Sequence, residues 1–166
     1  YLLGLDIEID IHQPSEAELE RVAQMTQKTN QFNMTTRRYT IGEIRERSQS
    51  PDWRMYVVRS RDKYGDDGVT LLLMAQRRGD IAVSDTLLVS CRVMGRLIEQ
   101  TACERIIAEL FDWGCSEVHG EYLPTRKNGM AADFYQDLGF EVSERTHEKT
   151  SYRLRPGMLK HWPRVH

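Results

Sequence analysis

The sequence predicts an α/β (α+β) domain with a mixed central sheet, and three observations predict it. Residues 2–11, "LLGLDIEIDI", alternate with a period of two, placing Leu5, Ile7, Ile9 and Ile11 on one face and Asp6, Glu8 and Asp10 on the other. That is the pattern of a half-buried strand. Three strand-like runs then follow in quick succession, "WRMYVVRS", "VTLLLMAQ" and "IAVSDTLLVSCR", separated by glycine-bearing turns. Finally, a helical stripe stands between the last of these and "CSEVHGEYL". A strand–helix–strand unit crosses over, so those two strands run parallel.

Each remaining element has its own signal. "SEAE" from Ser15 is a capping box, Ser15 at the N-cap and Glu18 reaching back, and it opens a helix to about Thr29. "TIGE" from Thr40 repeats the device for a short helix ending before Pro51. "RDKYGDDG" marks a hairpin turn and "RRGD" the next one. A helix from Gly95 to about Trp113 carries Leu97, Ile98, Ala102, Ile106 and Leu110 on one stripe, and Gly114 stops it. Asn128 caps a helix bearing Ala131, Phe134, Tyr135 and Leu138, closed by Gly139, and "FEVSE" and "TSYRLR" finish as a hairpin. The order is β-α-α-β-β-β-α-β-α-β-β. It resembles the GNAT acyltransferase fold, whose one parallel strand pair splays apart.

Composition narrows the class. With 40% hydrophobic and 29% charged residues over 166 positions, the chain is of the soluble globular type. No apolar run approaches the roughly 20 residues of a membrane helix, and no secretory signal is visible. A formal charge of -2 gives no reason to expect nucleic acid, although "RPGMLKHWPRVH" makes residues 156–166 a locally basic tail after a domain spanning 1–155. Cys91, Cys103 and Cys115 lack disulfide or zinc spacing, which fits a reducing cytoplasm, and no metal site is expected. The D-x-E-x-D of the first strand hints at a phosphatase or metal site, but strict alternation already explains those acids as its wet face. The chain starts at Tyr1 without a methionine and reads as a piece of something longer.

The chemistry is expected where the parallel strands diverge. A pantetheine arm in that gap pairs with freed backbone groups like an added strand, and the following helix offers N–H groups to its phosphate. The GNAT pattern there is R/Q-x-x-G-x-G/A. Arg92-Val93-Met94-Gly95-Arg96-Leu97 matches it except at Leu97, which stands in place of a small residue. "NGMAADFYQDLGF" resembles the GNAT signature N-x-x-A-x-x-x-Y-x-x-x-G-F, with Asn128, Ala131, Tyr135, Gly139 and Phe140 in register. That resemblance implies that Asn128 helps to bind the cofactor and that Tyr135 protonates a departing thiolate or lies beside the thioester sulfur.

Four longer blocks narrow the family. "KTNQFNMTTRRYT" (28–40), "RDKYGDDG" (61–68), "DTLLVSCRVMGR" (85–96) and "YLPTRKNGMAADFYQDLGF" (122–140) closely resemble the C-terminal domain of FkbH-like proteins. The resemblance implies a haloacid-dehalogenase-type phosphatase domain N-terminal to this one. It also implies conversion of 1,3-bisphosphoglycerate to a glyceryl thioester on an acyl carrier protein, in polyketide or tetronate biosynthesis. The D-x-D-x-T phosphatase motif is not in this sequence, so dephosphorylation is assigned to the other domain.

The residues themselves supply candidate roles. Cys91, beside Arg92, Arg96 and a helix N-terminus, is expected to favour thiolate and to accept the glyceryl group before passing it to the carrier's phosphopantetheine. Free N–H groups around Val93 and Met94 are the expected oxyanion donors. His119 is a candidate base, though an exposed or core-satisfied histidine is the plainer reading. Asn30, Gln31, Asn33, Thr35 and Thr36 are expected to bind a glycerate's hydroxyls. Arg37, Arg38, Arg126 and Lys127 are expected to hold a phosphate or the carrier's acidic surface. Two rival readings stand: an acetyl-coenzyme A-dependent N-acetyltransferase using Tyr135 as acid, and a non-catalytic carrier-docking domain.

Overall fold

The computed structural model describes residues 6–93 and 97–162. Its strands are β1 (Glu8–His12), β2 (Trp53–Asp62), β3 (Gly65–Arg78), β4 (Ile81–Val89), β5 (Glu117–Tyr122), β6 (Glu141–Arg145) and β7 (Thr150–Leu154). The helices are α1 (Leu19–Lys28), α2 (Ile41–Gln49), α3 (Ile98–Asp112) and α4 (Phe134–Leu138), with 3₁₀ turns at Glu16–Glu18 and Gly129–Ala131. The sheet runs β1-β2-β3-β4-β5-β7-β6, and β4/β5 is its parallel pair. The element order is the expected one.

Both capping boxes form. Ser15 N–H donates to Glu18 Oε1 (3.0 Å), Thr40 N–H to Glu43 Oε1 (3.0 Å) and Glu43 N–H to Thr40 Oγ1 (3.2 Å). The caps fix the two helix starts, and apolar faces then hold the helices on the sheet. α1 buries Leu19, Val22, Ala23 and Met25 with Ile44 of α2 against Met55, Val57, Leu72 and Leu88 of one sheet face. α3 and α4 cover the other face, burying Ile98, Ala102, Ile106, Leu110, Phe134, Tyr135 and Leu138 against Val58, Leu71, Leu73 and Val118.

Boundaries differ from expectation: β4 ends at Val89 rather than Arg92, and the helix expected after Asn128 is a 3₁₀ turn followed by α4 from Phe134. The first strand begins at Glu8, and its expected residues 2–5 lie outside the described residues. Only Lys63 and Tyr64 separate β2 from β3, because "GDDG" continues as strand through a register shift at Asp67 against β2, with Gly68 at φ +69°. α3 starts at Ile98 rather than Gly95, and Leu97 before it is left-handed (φ +63°). Finally, residues 156–162 lie against the domain. Lys160 N–H donates to Leu138 C=O (2.9 Å), His161 Nδ1 meets Glu104 Oε1 (2.6 Å), and Trp162 packs on the core.

Candidate functional site

The site is set by where β4 leaves β5. Their register covers only Ile81↔Glu117 to Ser84↔Gly120, while β4 runs on to Val89. The cause is one extra residue. Against β3, Met74 faces Thr86 and Ala75 faces Ser84, so Asp85 is a bulge. A bulge bends its strand and sharpens its twist, and here it turns β4 away from β5 one residue past their last pair. Tyr135 closes the crotch of the wedge. It is buried, its hydroxyl donates to Ser84 Oγ (2.9 Å), and its ring lies over Gly120. Burial pushes its pKa up, opposed by the Ser84 bond.

The wedge is filled by the chain itself. Met34 N–H donates to Leu87 C=O (3.0 Å) and Val89 N–H to Phe32 C=O (2.9 Å), pairing Asn33 with Leu88 as a short antiparallel strand. On the other side Leu123 N–H donates to Met34 C=O (2.9 Å). Asn128 clasps the segment, its Nδ2 donating to Asn33 C=O (2.9 Å) and Leu123 C=O (2.9 Å) while its Oδ1 accepts from Thr125 N–H (2.8 Å). Thr35 Oγ1 donates to Asp85 C=O (2.9 Å). Asn128 was expected to cap its helix and bind cofactor; its side chain makes no cap bond and holds this segment instead. Asn33 and Thr35, read as glycerate ligands, are buried and internally bonded, and Thr36 N–H donates to Asn33 Oδ1 (2.9 Å).

Arg37 and Arg38 likewise turn inward. Arg37 meets Asp85 Oδ1 (3.1 Å) and Glu121 Oε2 (3.3 Å), bridging the two diverging strands. Tyr39 Oη donates to Asp85 Oδ2 (2.6 Å), and burial first, then that bond, raises Tyr39 to about 12. Arg38 donates to Thr26 C=O (2.5 Å), Thr29 C=O (2.8 Å) and Asn30 Oδ1 (2.6 Å). With their donors engaged internally, neither fits the role of a free anion clamp.

The open cations lie at the mouth of the wedge. A cleft of about 680 Å³ is lined by Arg21 and Lys28 of α1, Thr29–Phe32, Val89–Cys91, Arg126 and Lys127. Arg21 gives one donor to Gln24 (2.9 Å), and burial first, then the nearby charge of Arg92, lowers its proton affinity. Among the described residues, none of Arg21, Lys28, Arg92, Arg126 and Lys127 forms an ion pair. Asn30, Gln31, Arg126 and Lys127 therefore line one cleft. Arg21 and Lys28, two helical turns apart on α1, were missed; their signal was the seven-residue spacing that puts both on one face.

The three expected catalytic residues do not converge. Cys91 is exposed on the cleft wall. Seven residues of largely extended chain separate it from Ser84, the partner of Tyr135, on the order of 20 Å at ~3.3 Å per residue. His119 is adjacent to Gly120 in β5, so its side chain leaves the sheet on the opposite face from Tyr135. There it contacts Glu117 (2.8 Å), and His119, then Arg155, hold the Glu117 carboxyl below its usual range. Val93 N–H, an expected oxyanion donor, is directed at Ser90 C=O (3.2 Å). Of the expected phosphate turn, Met94, Gly95 and Arg96 lie outside the described residues, Val93 is buried, and buried Glu99 places an acid in the first turn of α3. Cys103 and Cys115 are buried, and burial pushes both thiols up. Among the described residues no helix is long and apolar enough to cross a membrane.

No protein-family model and no curated protein matches the chain. Solved structures do. The ribosomal-protein-S18-alanine N-acetyltransferase from Escherichia coli aligns over 96% of this chain and 99% of its own, with TM-score 0.68 and 14% identity. Spermidine N-acetyltransferase from Vibrio cholerae, in complex with CoA and spermine, gives 0.68 over 90% and 96% at 11% identity. The PaiA N-acetyltransferase from Thermoplasma acidophilum, in complex with coenzyme A, gives 0.64 over 89% and 99% at 14%. At these identities the likeness establishes the fold, which is that of the GNAT acetyltransferases.

Proposed function

We propose that this chain is an acyl-transfer domain that moves a glyceryl group derived from 1,3-bisphosphoglycerate onto the phosphopantetheine thiol of an acyl carrier protein. The observation that carries the reading is an exposed thiol, Cys91, on the wall of a cleft crowded with cations that have no carboxylate partners among the described residues. The Cys91 thiolate attacks the acyl phosphate carbonyl, forming the C–S bond while the bond to the phosphate oxygen breaks; the acyl group keeps its 3-phosphate, which is hydrolysed by water at the phosphatase domain to leave the glyceryl group. The departing phosphate is met by Arg21, Lys28, Arg126 and Lys127. The carrier thiolate then attacks the thioester, and Cys91 leaves as thiolate. One thiolate replaces another, so the site needs positioning more than driving force. All of this takes place at the mouth, and the wedge stays filled. The resemblance to FkbH-like proteins supports the choice of acyl group, carrier and a phosphatase domain supplied elsewhere in a longer chain.

Intact-mass measurement of the full-length protein with donor tests it. The expected result is a glyceryl adduct in wild type that is lost in Cys91→Ala; an adduct of equal yield in Cys91→Ala removes the proposal. A second reading, an acetyl-coenzyme A-dependent N-acetyltransferase, draws support from the fold and from the neighbours solved with CoA. It needs the wedge emptied so that a thioester reaches Tyr135, and acetyl transfer to an amine that depends on Tyr135 but not on Cys91 supports it. Transfer surviving in Cys91→Ala/Tyr135→Phe, but lost on removing Arg21 and Arg126, would instead make this a carrier-docking domain.

A further inference from the structure

β4 is paired with β3 on one edge through Val89, so past Ser84 its other edge must find hydrogen-bond partners elsewhere. Phe32–Met34 supplies them at Leu87 and Val89 and reaches across to Leu123. The segment is firmly seated. Met34 and Asn33 are fully buried, and the Phe32 ring sits edge-on to Phe134 at 5.0 Å. Phe32 also lines both the basic cleft and a hollow of about 200 Å³ on the α3/α4 side, whose wall includes Glu99, Asp133 and Asp137. The segment thus partitions a cationic basin from an acidic one.

We infer that Phe32–Thr35 is a specificity determinant that holds the β4 edge against free coenzyme A. An extended amide-bearing arm needs the same backbone groups, and it reaches them only after the segment has left. Its apparent affinity is then reduced by the fraction of molecules in which the segment is out. A donor that reacts at Cys91 meets no such competition. The inference goes beyond the acyl-transfer proposal and does not require Cys91 to be acylated, so adduct formation and coenzyme A binding fail or succeed separately.

The probe is coenzyme A itself, titrated calorimetrically into the full chain, with amide exchange at Met34 and Val89 reporting whether the segment is seated. Phe32→Ala removes the aromatic anchor, so exchange at both amides accelerates and coenzyme A binds about tenfold or more tightly than to wild type. A second variant keeps the inference testable if Phe32→Ala does not fold. Asn33→Cys/Leu88→Cys, in a Cys91→Ser background, bridges directly opposed residues whose spacing suits a disulfide. Its oxidised form binds coenzyme A more weakly than its reduced form. Wild type binding as tightly as Phe32→Ala, or oxidised and reduced forms binding equally (including not at all), overturns the inference.

Discussion

Gly120→Ala tests the geometry on which the wedge depends. A Cβ at residue 120 would lie 2.6–2.8 Å from three ring carbons of Tyr135, closer than real Cβ contacts come. The ring cannot easily yield. It is buried, its hydroxyl is held by Ser84, and Phe140 and Tyr152 stand against it at centroid distances of 4.9 and 5.3 Å. Overpacking a full core costs about 1–3 kcal/mol, and with both ends of the ring restrained the upper half of that range applies. For a chain of this size, 2–3 kcal/mol lowers the melting temperature by roughly 4–12 °C. Tyr135→Phe alone removes one hydrogen bond, worth about 1 kcal/mol, and leaves the ring where it is. Hence Gly120→Ala costs less in the Tyr135→Phe background, where Ser84 no longer holds that end of the ring, and least in a Tyr135→Leu background, where the ring is gone. Urea unfolding of the single and double variants measures both couplings. A Gly120→Ala protein within about 0.5 kcal/mol of wild type, at the level of an ordinary surface substitution, refutes the account of the crotch.

Two further perturbations follow from the same structure. At Gly139 the backbone is left-handed (φ +110°), and a Cβ would run into the carbonyl oxygen of Met158. Gly139→Ala therefore costs about 1–3 kcal/mol and frees residues 156–162, read as faster amide exchange at Lys160; unchanged exchange there contradicts the docking of that stretch. The third is a pH dependence. Tyr39 is raised to about 12 by burial and by Asp85, against about 10 unfolded. Between those values the native state keeps a proton that the unfolded chain has lost. Its contribution is whole below pH 10 and falls as pH rises to 12, at up to roughly 1.4 kcal/mol per unit. Denaturant unfolding at pH 8 and 11 should show a smaller loss in Tyr39→Phe than in wild type; equal losses count against the Tyr39–Asp85 bond.

How much of this was legible in the sequence divides along a physical line. Local signals were readable because each involves residues a few positions apart: the Ser15/Glu18 and Thr40/Glu43 boxes, the α1 and α3 stripes, and the Gly139 stop. The parallel pair was readable too, since a strand–helix–strand unit permits little else. The bulge had a visible signal that went unused: Asp85 is a charge inside the apolar run "IAVSDTLLV", and a strand that carries one is bent or functional there. The seating of Phe32–Thr35 had no such signal. It depends on backbone groups of Leu87, Val89 and Leu123 and on Asn128, 95 residues from Asn33. Backbone pairing leaves little mark on side-chain pattern, and a polar "NQFNMTTRR" reads as a loop whether it faces water or fills a sheet. Arg37 and Arg38 were misread for the same reason, because a guanidinium looks alike in sequence whether it awaits a phosphate or bridges two diverging strands.

The bulge, the clasp and the arginine bridge have one origin. Once Asp85 bends β4 outward, the inner edge past Ser84 is stripped of its neighbour, and buried backbone groups left unpaired cost about 1–3 kcal/mol each. A fold can settle that demand by leaving the edge for a ligand or by supplying its own chain. Here three backbone bonds, the Asn128 clasp and the Thr35–Asp85 bond meet it internally, and Arg37 holds Asp85 and Glu121 across the remaining gap. A wedge so completed is stable when empty of ligand. In the proposed acyl transfer the reacting groups are then those of the mouth, Cys91 and the cleft's cations.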